Sequence, residues 1–112
     1  MAVATPAIRR GQVHLVRLDP TLGSEIKKTR PCVVVSPDEL NEHLRTVIVA
    51  PMTTGGRAYP WRPRCRFQRR SGFVALDQLR TVDVERLLKT LGELDGSTLV
   101  AVLQRLQDMF AE

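Results

Sequence analysis

The sequence predicts a mainly β domain of the α+β class, a small antiparallel barrel closed by one C-terminal amphipathic helix. Three observations predict it. Short runs rich in valine and other aliphatic residues recur at close spacing from residue 11 to residue 83. The connections between them are too short for the crossovers that parallel strands need. One stretch near the C-terminus repeats its apolar residues with the period of a helix.

GQVHLVRL, residues 11–18, alternates as a half-buried strand does. Asp19-Pro20 ends it, and a loop containing Gly23 runs on through the basic KKTR. PCVVVS, residues 31–36, is a continuous apolar run bounded by prolines and is expected as a buried strand. SPDELN then reads as a brief helical turn, with Ser36 as its cap and Pro37 just inside. TVIVAPM, residues 46–52, is a third strand, followed by the TTGG loop.

In WRPRCRF, residues 61–67, strand alternation sets Arg62, Arg64 and Arg66 on one face and Trp61, Cys65 and Phe67 on the other. Pro63 lacks an N–H donor, which places this strand at a sheet edge or makes it irregular. GFVALD and QLRTVD follow as two short strands, for five or six in all. Leu99, Leu103, Leu106 and Phe110 mark the closing helix, capped by Ser97 or Asp95.

A chain of 112 residues makes one domain, with residues 1–9 expected as a flexible N-terminal extension. Aromatic residues are only 4% of the chain, so valine and leucine must fill the core. No apolar run approaches the roughly eighteen residues a membrane-spanning helix needs. MAVATPAIRR sets its arginines after the apolar stretch, the reverse of a signal peptide. Cys32 and Cys65 are too few for a disulfide framework, and a reducing cytoplasm is expected. Together these exclude a membrane protein, a secreted disulfide knot, a disordered tail and a large multidomain enzyme.

The net charge of +5 is local. Arg57, Arg62, Arg64, Arg66, Arg69 and Arg70 fall within fourteen residues that contain no acid. Outside that segment 11 basic residues face 12 acidic ones. A localised cationic patch points to an anionic partner, nucleic acid first; a solubilising loop is the other reading open at this level.

Conventional catalytic signatures are missing. His14 and His43 have no cysteine or carboxylate at metal-ligand spacing, and neither a zinc motif nor a phosphate-cradling glycine loop is present. No metal and no cofactor is expected. What remains is GSEIKKTRP followed by VAPMTT: a carboxylate at Glu25, a fixed cation at Arg30, and hydroxyls at Thr53 and Thr54. A guanidinium beside a hydroxyl suits a phosphate, because the planar fork takes two oxygens and the hydroxyl a third. A surface ion pair between Arg30 and Glu25 is the alternative.

RGQVHLVRLDPTLGSEIKKTRPCVVVSPDELN, then TVIVAPMTT, then ALDQLRTVD resembles the MazF/PemK family of toxin ribonucleases. The resemblance runs from about Arg10 to the end of the chain and carries three motifs in order, DPTxGSE and RPxxVVS among them. It implies an SH3-like barrel of the CcdB/MazF kind, assembled as a homodimer. It implies a cytoplasmic, metal-independent endoribonuclease that cuts single-stranded RNA, held in check by a MazE-like antitoxin with an acidic segment. Cleavage would proceed by 2′-hydroxyl attack, leaving a 2′,3′-cyclic phosphate and a 5′-hydroxyl.

Carried over residue by residue, the arginine of the RP motif is Arg30 and the threonine after the VAP strand is Thr53. Gly23, Ser24 and Glu25 match the GSE loop that flanks the RNA groove, and Gln78 and Arg80 match base- and phosphate-contacting positions. Arg30 suits charge stabilisation; whether it also moves protons is open, and Glu25 is an alternative base.

Departures from the family pattern are specific. Gln12 stands where aspartate is usual. Ile26, Lys27 and Lys28 replace a more flexible stretch and add charge to the first loop, where the two lysines join Thr54 as expected RNA contacts. Arg62, Arg64 and Arg66 are expected to extend the electrostatic footprint along RNA or along the antitoxin. Two rivals use the same barrel without cleavage: a CcdB-like toxin that binds gyrase, and a non-catalytic RNA-binding barrel.

Overall fold

A computed structural model describes residues 7–112. Seven strands appear: β1 (Gln12–Arg17), β2 (Thr29–Val34), β3 (Thr46–Thr53), β4 (Arg64–Phe67), β5 (Arg70–Val74), β6 (Arg80–Asp83) and β7 (Leu87–Glu93). Helix α1 (Asp38–His43) separates β2 from β3, and α2 (Gly96–Phe110) closes the chain. Every strand pairing is antiparallel, in the order β4-β5-β3-β2-β1-β7, with β6 also on β3.

The continuous apolar runs have a direct cause. Val33 of β2 and Ala50 and Met52 of β3 enter one buried cluster, beneath α2. Their neighbours Cys32, Val34, Val47 and Val49 enter a second cluster on the opposite face. Strands covered on both sides have no polar face to show. Valine and leucine do fill the core: all the largest fully buried side chains are Leu, Val, Pro or Cys.

The sheet curls until its ends meet. Gln68, in the turn between β4 and β5, donates from Nε2 to the Leu91 carbonyl of β7 at 3.1 Å. The Phe67 ring packs on Gly92, where an added Cβ would lie 3.3 Å from it. This closure uses side chains rather than a backbone ladder. The barrel is therefore partly open, and β4 is an edge strand, with Pro63 just before its first residue.

Several expectations are corrected. Strand β7 is an addition to the expected elements, because bulges between Val13 and His14 and between Leu15 and Val16 break its register with β1 and blur the period-two pattern. β2 begins at Thr29, so Arg30 lies within the strand, paired with Val16. Ser36 does not cap α1, whose N-terminal residue Pro37 has no side-chain cap bond. It is buried instead, donating to Asn41 Oδ1 at 2.5 Å and accepting from the Ile48 N–H at 3.0 Å, which ties α1 to β3.

Asp95, not Ser97, caps α2, accepting from the Thr98 N–H at 2.8 Å. Val102 is the residue of α2 that is fully buried, while Phe110 is 71% exposed. Residues 1–6 of the expected N-terminal extension lie outside the described residues. Ile8 and Arg9 are docked: Ile8 packs on the second cluster, and Arg9 pairs with Asp38 at 3.4 Å.

Candidate functional site

The two motifs singled out in the sequence meet where β2 and β3 lie side by side. Their register pairs Cys32 with Pro51 and Val33 with Ala50. Continued outward by two residues, it sets Arg30 opposite Thr53, and opposite residues of an antiparallel pair share a face. Both residues line a groove of about 570 Å³. Lys28, Arg30 and Arg70 supply its cations, and Thr29, Thr53, Thr54 and Ser71 its hydroxyls. Met52, Cys65 and Phe67 contribute apolar wall. No aspartate, glutamate or histidine lines it.

Arg30 is held by its backbone on β1 and by its Nε, which donates to the Lys27 carbonyl at 3.0 Å. That bond leaves the two terminal nitrogens available as a fork. Lys28 takes a left-handed conformation, φ 72°, which turns the loop into β2 at the groove's edge. Thr53 Oγ1 donates to the Gly55 carbonyl at 3.0 Å, so the hydroxyl must release the TTGG loop before it can donate elsewhere. The β4–β5 turn places both Gln68 (φ 50°) and Arg69 (φ 66°) in the left-handed region, which swings Gln68 and Arg70 to the groove.

The other expected site residues divide into two sets. Thr54 and Lys28 join Arg30 and Thr53 in the groove. Arg64 and Arg66 line an adjoining cavity of about 380 Å³ that shares Thr54, Cys65, Ser71 and Gly72 with the groove. Arg64 also lies over the Phe73 ring, 5.6 Å from its centroid.

The remainder lie outside the groove. Gly23 (φ 56°) and the exposed Ser24 sit in a turn closed by Glu25, whose carboxylate accepts from the Leu22 N–H at 2.6 Å. Glu25 does not line the groove. Lys27 is exposed on the same loop, with its carbonyl held by Arg30. Gln78 accepts from the Ile26 N–H at 3.1 Å, and Arg80 donates to the Leu18 carbonyl at 3.1 Å. Both staple the first loop rather than face the groove.

Arg62 departs from its expected face. The strand starts only at Arg64, after a turn that bridges Tyr59 and Arg62. Arg62 instead grips Asp77 with Nε and Nη2, both at 2.8 Å. That hydrogen bonding holds the Asp77 carboxyl below its ordinary range and raises the guanidinium.

Gln68, Arg70, Ser71 and Gly72 enter the groove although no motif points to them individually. Arg70 is visible in the sequence only as part of the basic segment; placing it needs the β4–β5 pairing. Nucleophilic thiols are not on offer: burial pushes Cys32 up to about 12 and raises Cys65. Among the described residues no group of three His, Cys, Asp or Glu side chains is placed to hold a metal ion.

Comparison with known proteins bears on the family and the fold. Residues 9–110 match the family described as PemK-like, MazF-like toxin of type II toxin-antitoxin system. The endoribonuclease PemK of Escherichia coli is 40% identical over 82 residues, 70% of this chain but 55% of that protein. The endoribonuclease MazF of Staphylococcus epidermidis is 34% identical over 101 residues, covering 85% of this chain and 84% of that one. Among solved structures, MazF of Deinococcus radiodurans superposes with a TM-score of 0.82 at 24% identity, over 94% of this chain and 97% of its own. A mycobacterial endoribonuclease solved with its cognate antitoxin gives 0.77 at 25% identity, over 91% and 93%.

Proposed function

The chain belongs to the PemK-like, MazF-like toxins of type II toxin–antitoxin systems, and from that premise we propose that it cleaves single-stranded RNA without a metal ion. The observation that carries this reading is the groove itself: Arg30 opposite Thr53, with Lys28 and Arg70 alongside and no carboxylate in the lining. A cationic cleft rich in hydroxyls attracts a phosphodiester and offers no ligand set for a divalent ion.

The reaction begins with the 2′-hydroxyl adjacent to the scissile bond, whose oxygen attacks phosphorus. The bond to the 5′-oxygen breaks, leaving a 2′,3′-cyclic phosphate and a 5′-hydroxyl. Charge accumulates on the nonbridging oxygens as the phosphorane forms. The two free nitrogens of Arg30 answer it as a fork, and Thr53 donates a further bond once it leaves the Gly55 carbonyl. Arginine stays protonated at any working pH. With no carboxylate or imidazole in the lining, the proton from the 2′-hydroxyl passes to solvent and the leaving oxygen takes one from solvent.

Growth inhibition, a cytoplasmic setting, a homodimeric unit and an antitoxin whose acidic segment competes for the groove go with this reading. No helix among the described residues is long and apolar enough to cross a membrane. A gyrase-binding or purely RNA-binding barrel would have no use for an arginine and a threonine opposed in a cleft. The deciding experiment incubates the purified chain with single-stranded RNA in excess EDTA. Cleavage to cyclic-phosphate ends that disappears in Arg30→Ala is expected. A requirement for magnesium or manganese, or RNA left intact, overturns the proposal.

A further inference from the structure

The chain has one tryptophan and one tyrosine, and it spends neither on its core. Tyr59 and Trp61 are 39% and 41% exposed, and their rings stack with centroids 5.2 Å apart and planes within 7°. The stack is held from three directions. The Arg62 N–H donates to the Tyr59 carbonyl at 2.9 Å, and the Leu76 N–H donates to the Trp61 carbonyl at 3.2 Å. Arg62 lies 5.9 Å from the Tyr59 centroid while its fork is fixed on Asp77. Among the described residues no second ring or cation is stacked on Trp61.

A preorganised aromatic face left partly exposed among the described residues is a binding surface for another flat group. Its surroundings indicate which one. The segment from Arg57 to Arg70 has six arginines and no acid, and with Arg62 committed to Asp77 it is Arg57 and Arg64 that flank the stack along the sequence, outside any ion pair among the described residues. Aromatic rings between unpaired cations match the alternation of bases and phosphates in a single strand. From Trp61 the chain runs through Pro63 into β4, where Arg64 and Cys65 line the cavities beside Thr53. Four residues span at most about 14 Å, so the stack lies within a few nucleotides of the groove.

We propose that Trp61, backed by Tyr59, is a stacking platform for a nucleobase flanking the scissile bond; this rests on the RNA-cleaving reading above. Stacking accepts any base, so the platform would add affinity and fix the strand's path without dictating the sequence cut.

Trp61 is its own reporter, because all tryptophan emission comes from it. The parent is titrated with a noncleavable single-stranded 2′-deoxy oligonucleotide, and with an abasic strand of equal length. The base-bearing strand is expected to quench Trp61 saturably and the abasic strand to bind more weakly with little quenching. Trp61→Leu should weaken binding of the base-bearing strand by roughly 5- to 100-fold, and Trp61→Phe should recover most of it. Binding with unchanged Trp61 emission overturns the platform alone, as does a folded Trp61→Leu protein that binds like the parent. Should Trp61→Leu not fold, the parent's quenching and the Trp61→Phe affinity still decide. Emission that changes on dilution without nucleic acid assigns the face to self-association and overturns the proposal. Failure of the parent to bind any strand overturns both this inference and the ribonuclease reading.

Discussion

Gly72 lies so close to Thr53 that a single methyl group does not fit between them. A Cβ built on Gly72 would overlap the Thr53 carbonyl oxygen and stand 2.8 Å from its carbonyl carbon and 3.1 Å from the Thr54 Cα. The obstacle is backbone, which cannot swing aside as a side chain would. Gly72→Ala should therefore displace the strand end that presents Thr53. We expect loss of most cleavage together with a destabilisation of about 1–3 kcal/mol, the usual cost of overpacking. Gly55→Ala is the control, since nothing lies within 4 Å of its added Cβ; its stability should stay within about 0.5 kcal/mol of the parent. Thermal unfolding and a cleavage assay on both variants check this, and an active Gly72→Ala would show that Thr53 tolerates the shift.

Arg30 and Thr53 differ in what a conservative change removes. Arg30→Lys keeps the charge but loses the Nε bond to the Lys27 carbonyl and the two-nitrogen fork. Thr53→Val keeps the shape and loses the hydroxyl that now donates to Gly55. Each variant should retain its fold and lose roughly 100-fold or more in single-turnover cleavage, the scale of one missing donor to a developing oxyanion. An Arg30→Lys protein that cleaves like the parent would reduce Arg30 to a point charge.

How much of this is legible in the sequence depends on the kind of interaction. β1, β3 and α2 follow from local patterns: alternation, a continuous buried run, a helical period. The RP and VAP motifs suggest that Arg30 meets Thr53, and the β2–β3 register sets them opposite. Features made by chain segments far apart in sequence leave no such local trace. Phe67 on Gly92 closes the barrel, Gly72 packs against Thr53, and Arg62 finds Asp77. An alternating pattern assigns Arg62 to the face of Arg64 and Arg66, yet a turn at Tyr59–Arg62 intervenes and a carboxylate fifteen residues on captures it. Strand β7 is hidden by its own bulges, and its Leu88 is 52% exposed.

His14 gives a pH prediction with a definite sign. It is buried in β1, with Nε2 at 3.0 Å from Gln12 Oε1 and Nδ1 at 3.3 Å from Thr90 Oγ1. Burial lowers its pKa below the ordinary value of 6.5. The unfolded chain therefore takes up this proton at higher pH than the folded one. The neutral form's contribution is fully present above that ordinary pKa and is lost as pH falls through the lowered one. The unfolding midpoint should drop between about pH 7.5 and pH 5.5, and His14→Gln should flatten that dependence. Because His14 lines no part of the groove, the variant should cleave RNA as the parent does at pH 7.5, a value chosen near the top of this roughly two-unit range. An unchanged slope of midpoint against pH would show that His14 does not control it.

The three arginines of the WRPRCRF segment should separate by experiment. Arg64 and Arg66 are exposed beside the groove and carry no ion pair among the described residues, so they are free to contact phosphates. Replacing both by serine should weaken binding of unrelated single strands alike and lower the log–log salt slope, by up to about 0.7 for each phosphate no longer neutralised. Arg62→Ser should leave that slope unchanged, because the Arg62 charge already belongs to Asp77. Its cost should appear in stability instead, on the order of 1 kcal/mol for a partly exposed bidentate pair. Hydrogen bonding from Arg62 lowers the Asp77 pKa, so the pair's contribution is present above the unfolded carboxylate value of 3.8 and disappears as pH falls through the depressed one. The gap in unfolding free energy between parent and Arg62→Ser should thus be widest near neutrality and close in acid. Fluorescence anisotropy across a salt series and denaturant unfolding across a pH series read the two effects independently. A salt slope that falls in Arg62→Ser as far as in the double variant would return Arg62 to the phosphate-binding face.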